Sequence, residues 1–164
     1  MADMTREQLE TTLRIAGRGV TLHGVDLSGL DLSEMDLSRL DLGGANLTGA
    51  LLRKANLAGA DLRNAVLADA KMQEADLQGA DLQNARLDRA DLTSCLLYGS
   101  KLDGSSMEGV VAEEAKFVYD QNGWRHEHYM YRDPASLVDV NLTGANLGRA
   151  ILATVNLTGA RLRG

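Results

Sequence analysis

Residues 55–94 read ANLAG ADLRN AVLAD AKMQE ADLQG ADLQN ARLDR ADLTS, eight five-residue units in succession. The first residue of every unit is Ala, and the third is Leu in seven units and Met in one. The second residue is often Asp or Asn, and the fifth is often Gly or Asn. A period of five fits neither the 3.6 residues of a helical turn nor the two-residue alternation of a long strand. Each unit is therefore predicted to be one short extended piece followed by a bend.

The same period runs through most of the chain. Of 28 leucines, 22 fall in one phase of five, where an even distribution over the five phases would place about six. This phase extends from Leu22 to Phe117 and resumes from Leu137 to Leu162. Four such pieces close a square, so the sequence predicts an all-β solenoid whose core is built from stacked Leu and Ala.

The positions within a repeat have different expected roles. Leu and the residue two before it should point inward, while the other three positions should face water. The second position after Leu is often Gly, with Asn64 and Asn84 in the same slot, as expected where a corner needs positive φ. Bulkier inward residues occupy the opening repeats and should fill the open end of the core: Val20, Val25, Leu30, Met35 and Leu40.

The triplets Ala60-Asp61-Leu62, Ala75-Asp76-Leu77 and Ala145-Asn146-Leu147 carry a family resemblance. Their A-(D/N)-L-x-x pattern resembles the pentapeptide-repeat proteins, over about four-fifths of the chain. The resemblance implies a right-handed quadrilateral β-helix, with coils of about twenty residues stacked at the inter-strand spacing of about 4.8 Å.

An N-terminal α-helical cap is expected over residues 5–17. Thr5 and Gln8 have the spacing of a capping box, Leu9, Leu13 and Ala16 line one face, and a glycine follows at position 17. Solenoids normally carry caps, because an uncovered end exposes strand edges and apolar surface. The expected organisation is one domain over 1–164, with a capping helix in 1–19, repeats in 20–117, a loop interruption in 118–134 and repeats in 135–164.

The interruption is the distinctive segment of the molecule. It contains the only Trp, the only Pro, three of four Tyr and two of three His. Phe117-Val-Tyr119-Asp120 and the later Asp133-Pro134 resemble an interruption of many bacterial members of the family. The candidate partner-binding residues are Tyr119, Trp124, Arg125, His126, His128, Tyr129, Tyr131 and Arg132. Loops on rigid scaffolds often hold binding residues, but these aromatic groups could equally fold back as a plug over a coil face.

Two further features of this segment and its surroundings stay open at this stage. The interruption either replaces three repeats within a coil or bulges from a corner between adjacent repeats. The C-terminal repeats have no evident cap, so either their last coil frays or a second copy stacks on it as a homodimer, as in some members of the family.

The residues predict no catalytic, cofactor or metal site. His126-Glu127-His128 has no nearby Cys or further His to complete a ligand set, and Cys95 falls in an inward slot as a small buried hydrophobe. Asp41, Asp61 and Asp81 share a face at twenty-residue spacing and form an acidic column. Solvated ladder residues are favoured there over acid–base catalysis.

Composition restricts the partners. The net charge of −6 argues against direct nucleic-acid binding, and no apolar stretch is long enough for a membrane span. No signal sequence opens the chain and Cys95 has no disulfide partner, so the expected location is the cytoplasm.

The favoured function is a non-enzymatic module that binds an unidentified protein. The resemblance also implies an alternative, a DNA-mimic regulator or protector of DNA gyrase, since some family members have that role. No face of the solenoid is strongly single-signed, however, and Phe117 alone carries the inward Phe that gyrase-binding members favour. A third alternative is a structural rod that self-assembles through its C-terminal coil.

Overall fold

The computed structural model describes residues 2–17, 20–118 and 133–163. One helix, α1, spans Arg6–Ala16, and each described repeat contributes a single bridge residue rather than a longer strand. With 11 residues α1 is too short to cross a membrane, and no other described segment is helical. The rest of the described chain is a stack of square coils.

Parallel bridges join each coil to the next. Thr21 bridges Asp41, Asp41 bridges Asp61, and Asp61 bridges Asp81, so one coil contains 20 residues and four repeats. Backbone bonds reinforce every step, as where the N–H of Leu62 donates to the carbonyl of Asp81 at 2.7 Å. The four resulting faces are named by their inward residues. The first face carries Leu22, 42, 62, 82, 102, 137 and 157; the second Leu27, 47, 67, 87, Met107, Leu142 and 162; the third Leu32, 52, Met72, Leu92, Ala112 and Leu147; the fourth Leu37, 57, 77, 97, Phe117 and Leu152.

The predicted inward columns form the core. From Leu42 to Phe117 the Leu-slot residues are fully buried, and Ala45, Ala65 and Ala85 lie buried beside them. Of the bulkier opening residues, Met35 and Leu40 are buried, and Val20, Val25 and Leu30 pack against the core while partly exposed. The expectation that three positions of each repeat face water is too simple. The residue after Leu is often covered by adjacent coils, as at Ser38, Ala68 and Gln78.

The corners explain the small and polar residues of the motif. At each corner the N–H of the next repeat's first residue donates to the Leu carbonyl three residues earlier, as from Ala65 to Leu62 at 3.0 Å. The residue before it has positive φ, 59° at Asn64, which is the geometry of a type II turn. The Asp or Asn before Leu then accepts a bond from the turn, as Asn46 Oδ1 does from the N–H of Thr48 at 3.1 Å. These carboxylates and amides therefore hold the corners in shape.

Helix α1 begins with the predicted capping box. The Thr5 hydroxyl accepts from the N–H of Gln8 at 3.2 Å, and Gln8 Oε1 accepts from the N–H of Thr5 at 2.7 Å. Leu9 is completely buried in the same core as the first coils, and Leu13 packs partly against it, whereas Ala16 is exposed. Arg6 extends to the first coil and donates to the carbonyl of Asp31 at 3.0 Å.

Candidate functional site

The candidate partner-binding residues of the interruption lie outside the described residues. This applies to all eight: Tyr119, Trp124, Arg125, His126, His128, Tyr129, Tyr131 and Arg132. The described structure does define where the segment leaves the solenoid and where it returns. Those two points decide how the segment is presented.

The interruption bulges from a corner and does not replace repeats within a coil. Bridged residues are 20 apart up to Leu96 and Lys116, but 35 apart at Lys101 and Ser136, so 15 residues are added without an added coil. The N–H of Gly99 donates to the carbonyl of Asp133 at 2.7 Å, a bond that Val118 would accept in a regular coil. The N–H of Ala135 donates to the carbonyl of Phe117 at 2.8 Å and closes the corner. The added residues are thus held at both ends by ordinary coil hydrogen bonds.

The surface at the base of the interruption is the fourth face. Its outward positions include Leu96, Tyr98, Val118 and Ile151, and both Tyr98 and Val118 are only 6% exposed. Charged residues are sparse on this face, where Asp36 and Asp76 are balanced by Arg39 and Lys116. The inserted segment therefore emerges from the least charged side of the solenoid.

The acidic column lies where the sequence predicts, on the first face. Asp41, Asp61 and Asp81 occupy successive bridged positions of neighbouring coils. Each Oδ1 accepts a backbone N–H of its own corner, from Gly43 at 3.0 Å in the case of Asp41. The column is thus built from corner-forming carboxylates.

Basic side chains offset the charge of this column. Arg63 Nε donates to Asp61 Oδ1 at 2.9 Å, and this hydrogen bond is the main reason why the pKa of Asp61 lies below its usual value. The Thr21 hydroxyl donates to Asp41 Oδ2 at 2.8 Å and is the main cause of the lowered pKa of that carboxyl. Lys101 Nζ lies 4.0 Å from Asp81 Oδ2. The column therefore presents a mixed surface rather than a continuous acidic stripe.

Cys95 occupies the interior, as its position in the repeat predicts. Its Sγ donates to the carbonyl of Met72 at 2.8 Å, and burial raises the pKa of the thiol to about 12. A thiol held neutral in this way is a poor nucleophile and a poor metal ligand. Within residues 2–17, 20–118 and 133–163, no group of three or more His, Cys, Asp or Glu side chains is arranged to hold a metal ion.

One surface feature was missed in the sequence. Leu51 stands in the slot before Leu52, where many repeats carry Asp or Asn, and its side chain is 42% exposed on the third face. Arg53, Lys54 and Lys71 surround it in the same and the following coil. The departure from the motif was the available signal.

Comparison with known proteins gives consistent results for the repeats. A family model described as pentapeptide repeats matches eight copies, in residues 18–53, 45–84, 70–109 and 135–164. No curated protein matches the chain in sequence.

Similar solved structures are repeat proteins of the same kind. A pentapeptide repeat protein from the Arabidopsis thaliana thylakoid lumen is 36% identical, with a TM-score of 0.59, over 68% of this chain and 75% of that one. A trypsin-treated form of the plasmid-mediated fluoroquinolone resistance protein QnrB1 is 21% identical, with a TM-score of 0.36, over 87% and 78% of the two chains. HetL, involved in heterocyst differentiation regulation in the cyanobacterium Nostoc, is 24% identical, with a TM-score of 0.31, over 96% of each chain.

Proposed function

Because the chain belongs to the pentapeptide repeat family, whose members fold as right-handed quadrilateral β-helices, we propose that it is a non-enzymatic module that binds another protein. The observation that carries this proposal is the attachment of the inserted segment. Fifteen added residues leave the coil after Val118 and return at Asp133, with the coil hydrogen bonds intact on both sides. A rigid scaffold that displays a segment rich in Trp, Tyr and Arg has the composition of an interface hot spot.

The described chemistry supports recognition over catalysis. Cys95 is buried and its thiol has a raised pKa, and the Asp and Asn side chains of the repeats are engaged in corner hydrogen bonds. The interior is filled by side chains along the whole axis from Leu22 to Leu142. A partner would therefore meet the outer surface, and above all the inserted segment.

The test compares the intact chain with a variant that lacks the segment. Replacing residues 119–134 by one Gly should give a regular repeat, Lys116-Phe117-Val118-Gly-Ala135, with Gly at the position that needs positive φ. Both proteins are used to capture partners from a lysate of the source cell, and each captured protein is purified and titrated directly. The variants Trp124→Ala and Arg125→Ala provide a milder disruption of the same segment.

The proposal predicts a saturable partner that binds the intact chain and is lost from the shortened one. If the shortened chain binds the same partner equally well, the faces bind and the segment does not. If neither chain binds any purified protein saturably, the interaction function is wrong. Capture of DNA gyrase subunits would support the alternative of a DNA-mimic regulator.

We also propose that the chain forms a single domain in which α1 caps the first coil. The complete burial of Leu9 and the hydrogen bond from Arg6 to the Asp31 carbonyl support this role. The cap would shield Val20, Val25 and the strand edge of the first coil.

A homodimer through the C-terminal coil is a second proposal, supported by the exposure of that coil. Leu162 is 63% exposed, and Leu152 and Leu157 are partly exposed, whereas the same slots of the preceding coils are buried. Stacking of a second copy would cover this apolar surface. Leu162→Asp should reduce the mass measured by light scattering from dimer to monomer, whereas Ile15→Asp, at a 78% exposed site on α1, should not. A monomeric intact chain at high concentration would exclude this dimer.

A further inference from the structure

The third face carries an exposed apolar side chain at an unusual place. Leu51 bridges Asp31 in the coil before it and Lys71 in the coil after it. Side chains at this slot that are Asp or Asn bond the N–H two residues later, which Leu cannot do. A leucine here gives up a corner hydrogen bond and leaves apolar surface in water, so the fold itself gains nothing from it.

Three cations surround this leucine. Arg53 and Lys54 follow it in the same repeat, and Lys71 lies beside it in the next coil. Glu74 is shared, with Arg53 Nη2 at 3.3 Å and Lys54 Nζ at 3.6 Å from its two oxygens. Lys71 forms no ion pair within 4.0 Å in the part of the chain that the structure describes. The Leu51 patch, defined as Leu51, Arg53, Lys54 and Lys71, thus has more cations than carboxylates to balance them, in a protein of net charge −6.

A shallow groove adjoins the patch. It has a volume of about 420 Å³ and is lined by Arg53, Gln73, Glu74, Thr93 and Ser94. Its amide and hydroxyl groups can bond a polypeptide backbone that lies beside the cations. The patch therefore combines one apolar contact, several positive charges and a polar channel.

We propose that the Leu51 patch binds a short acidic polypeptide segment that also carries an aliphatic or aromatic side chain. The acidic groups would pair with Arg53, Lys54 and Lys71, and the apolar side chain would cover Leu51. This inference rests on the proposed interaction function and assigns to it a second surface, separate from the inserted segment.

The charges around the patch favour a short segment over a long polyanion. Asp31 lies in the coil before it and Asp91 in the coil after Lys71, so acidic groups bound the patch along the solenoid axis. A nucleic acid that followed this axis would meet both carboxylates, as well as Glu113 further on. An acidic peptide can place its carboxylates on the cations alone.

The probe is a fluorescein-labelled peptide with the repeated sequence Glu-Leu-Glu-Gly, followed by fluorescence anisotropy. Two variants alter the patch, Leu51→Asn and Lys71→Asn, and both introduce a residue that the family motif accepts at this slot. Their matched controls make the same changes at the same slot on other faces, Leu96→Asn on the fourth and Lys101→Asn on the first. A peptide with Ser in place of Leu and one with Lys in place of Glu test the two kinds of contact, and single-stranded RNA serves as the competing polyanion.

Each patch variant should weaken peptide binding by at least about fivefold, which is the size of an interface hot spot, and the controls should bind like the intact chain. Raising the salt concentration should weaken binding as well. Equal binding by all variants, no loss with the Ser peptide, or stronger binding of RNA than of the peptide would each overturn the assignment. So would the absence of peptide binding, and if the intact chain still captured a partner through its inserted segment, the proposed function would survive that result.

Discussion

Asp103 Oδ1 lies 2.9 Å from the backbone nitrogen of Val138, in the coil that follows the insertion, and accepts its hydrogen bond. In most repeats this acceptor belongs to the same repeat, as with Asn141 and Thr143. Ser136 occupies the acceptor slot here, and its hydroxyl instead donates to Asp103 Oδ1 at 2.5 Å. One carboxylate thus replaces a missing corner acceptor and joins the coils on either side of the insertion.

Asp103→Ala is expected to lower the free energy of unfolding by about 1–3 kcal/mol, because the N–H of Val138 and the Ser136 hydroxyl lose their acceptor. The measurement is urea unfolding followed by circular dichroism. Adding Ser136→Asn to this variant should restore most of the loss, since Asn at that slot supplies an acceptor within its own repeat.

Asp88 provides the matched control. It accepts from the N–H of Glu108 at 3.3 Å and from the Ser106 hydroxyl, in coils that no insertion separates. Asp88→Ala should cost a similar amount if the carboxylate acts through the corner. A cost confined to Asp103→Ala would show instead that the carboxylate acts by holding the insertion.

Backbone conformation at the corners gives the second prediction. Thr154 has φ of 66°, a conformation that a β-branched residue adopts only with strain. Thr154→Gly should therefore raise the free energy of unfolding by about 1 kcal/mol. Gly24 has φ of 69°, and a Cβ added there would meet no atom within 4 Å, so Gly24→Ala should show the reverse, a loss of about 1 kcal/mol. Opposite results would mean that side-chain contacts, rather than φ, decide these sites.

The position of α1 gives the third prediction. Leu9→Ala should lower the free energy of unfolding by about 2–5 kcal/mol, because Leu9 is completely buried in the common core. Ile15→Ala, on the exposed side of the same helix, should change it little. Urea midpoints of the two variants test the proposed cap, and equal small effects would mean that α1 does not protect the first coil.

The repeat pattern was sufficient to predict the core and the corners, because each follows from the period of five. Leu62 and Ala65 are buried and Asn64 has positive φ, as their slots require. The corner role of Asp61 was not predicted, since a bond from its carboxylate to the N–H of Arg63 depends on local backbone geometry.

Two features of the surface were beyond the pattern for a simpler reason. The insertion adds 15 residues, a whole number of repeats, so the leucine phase is the same whether it fills three sides of a coil or bulges from one corner. Only the bridge between Lys101 and Ser136 distinguishes these cases. Leu51 was overlooked because the motif describes its slot as often Asp or Asn, and exceptions to a frequent residue are informative only when their exposure is known. Partner binding by the inserted segment, the dimer and the cytoplasmic location stay predictions.

Acid sensitivity is the fourth prediction, and it follows from carboxylates that are more acidic when folded. The hydrogen bond from Arg63 lowers the pKa of Asp61. At Asp91 burial acts in the opposite direction, but hydrogen bonds from Thr93 and Gln73 outweigh it and the pKa is again lowered. Both pKa values therefore lie below the unfolded-state value near 3.8.

At a pH near that value the unfolded chain binds more protons than the folded one, so stability is fully present above it and is lost as the pH falls through the folded-state pKa. The urea midpoint should accordingly fall as the pH is lowered from 6 toward about 3. Asp61→Asn retains the side-chain oxygen that accepts from the N–H of Arg63 but removes the titrating charge, so its midpoint should depend less steeply on pH. Arg53→Gln, a charge removal on another face, should leave the slope unchanged. A midpoint that is flat or rises on acidification would show that these carboxylates do not stabilise the folded chain through their charge.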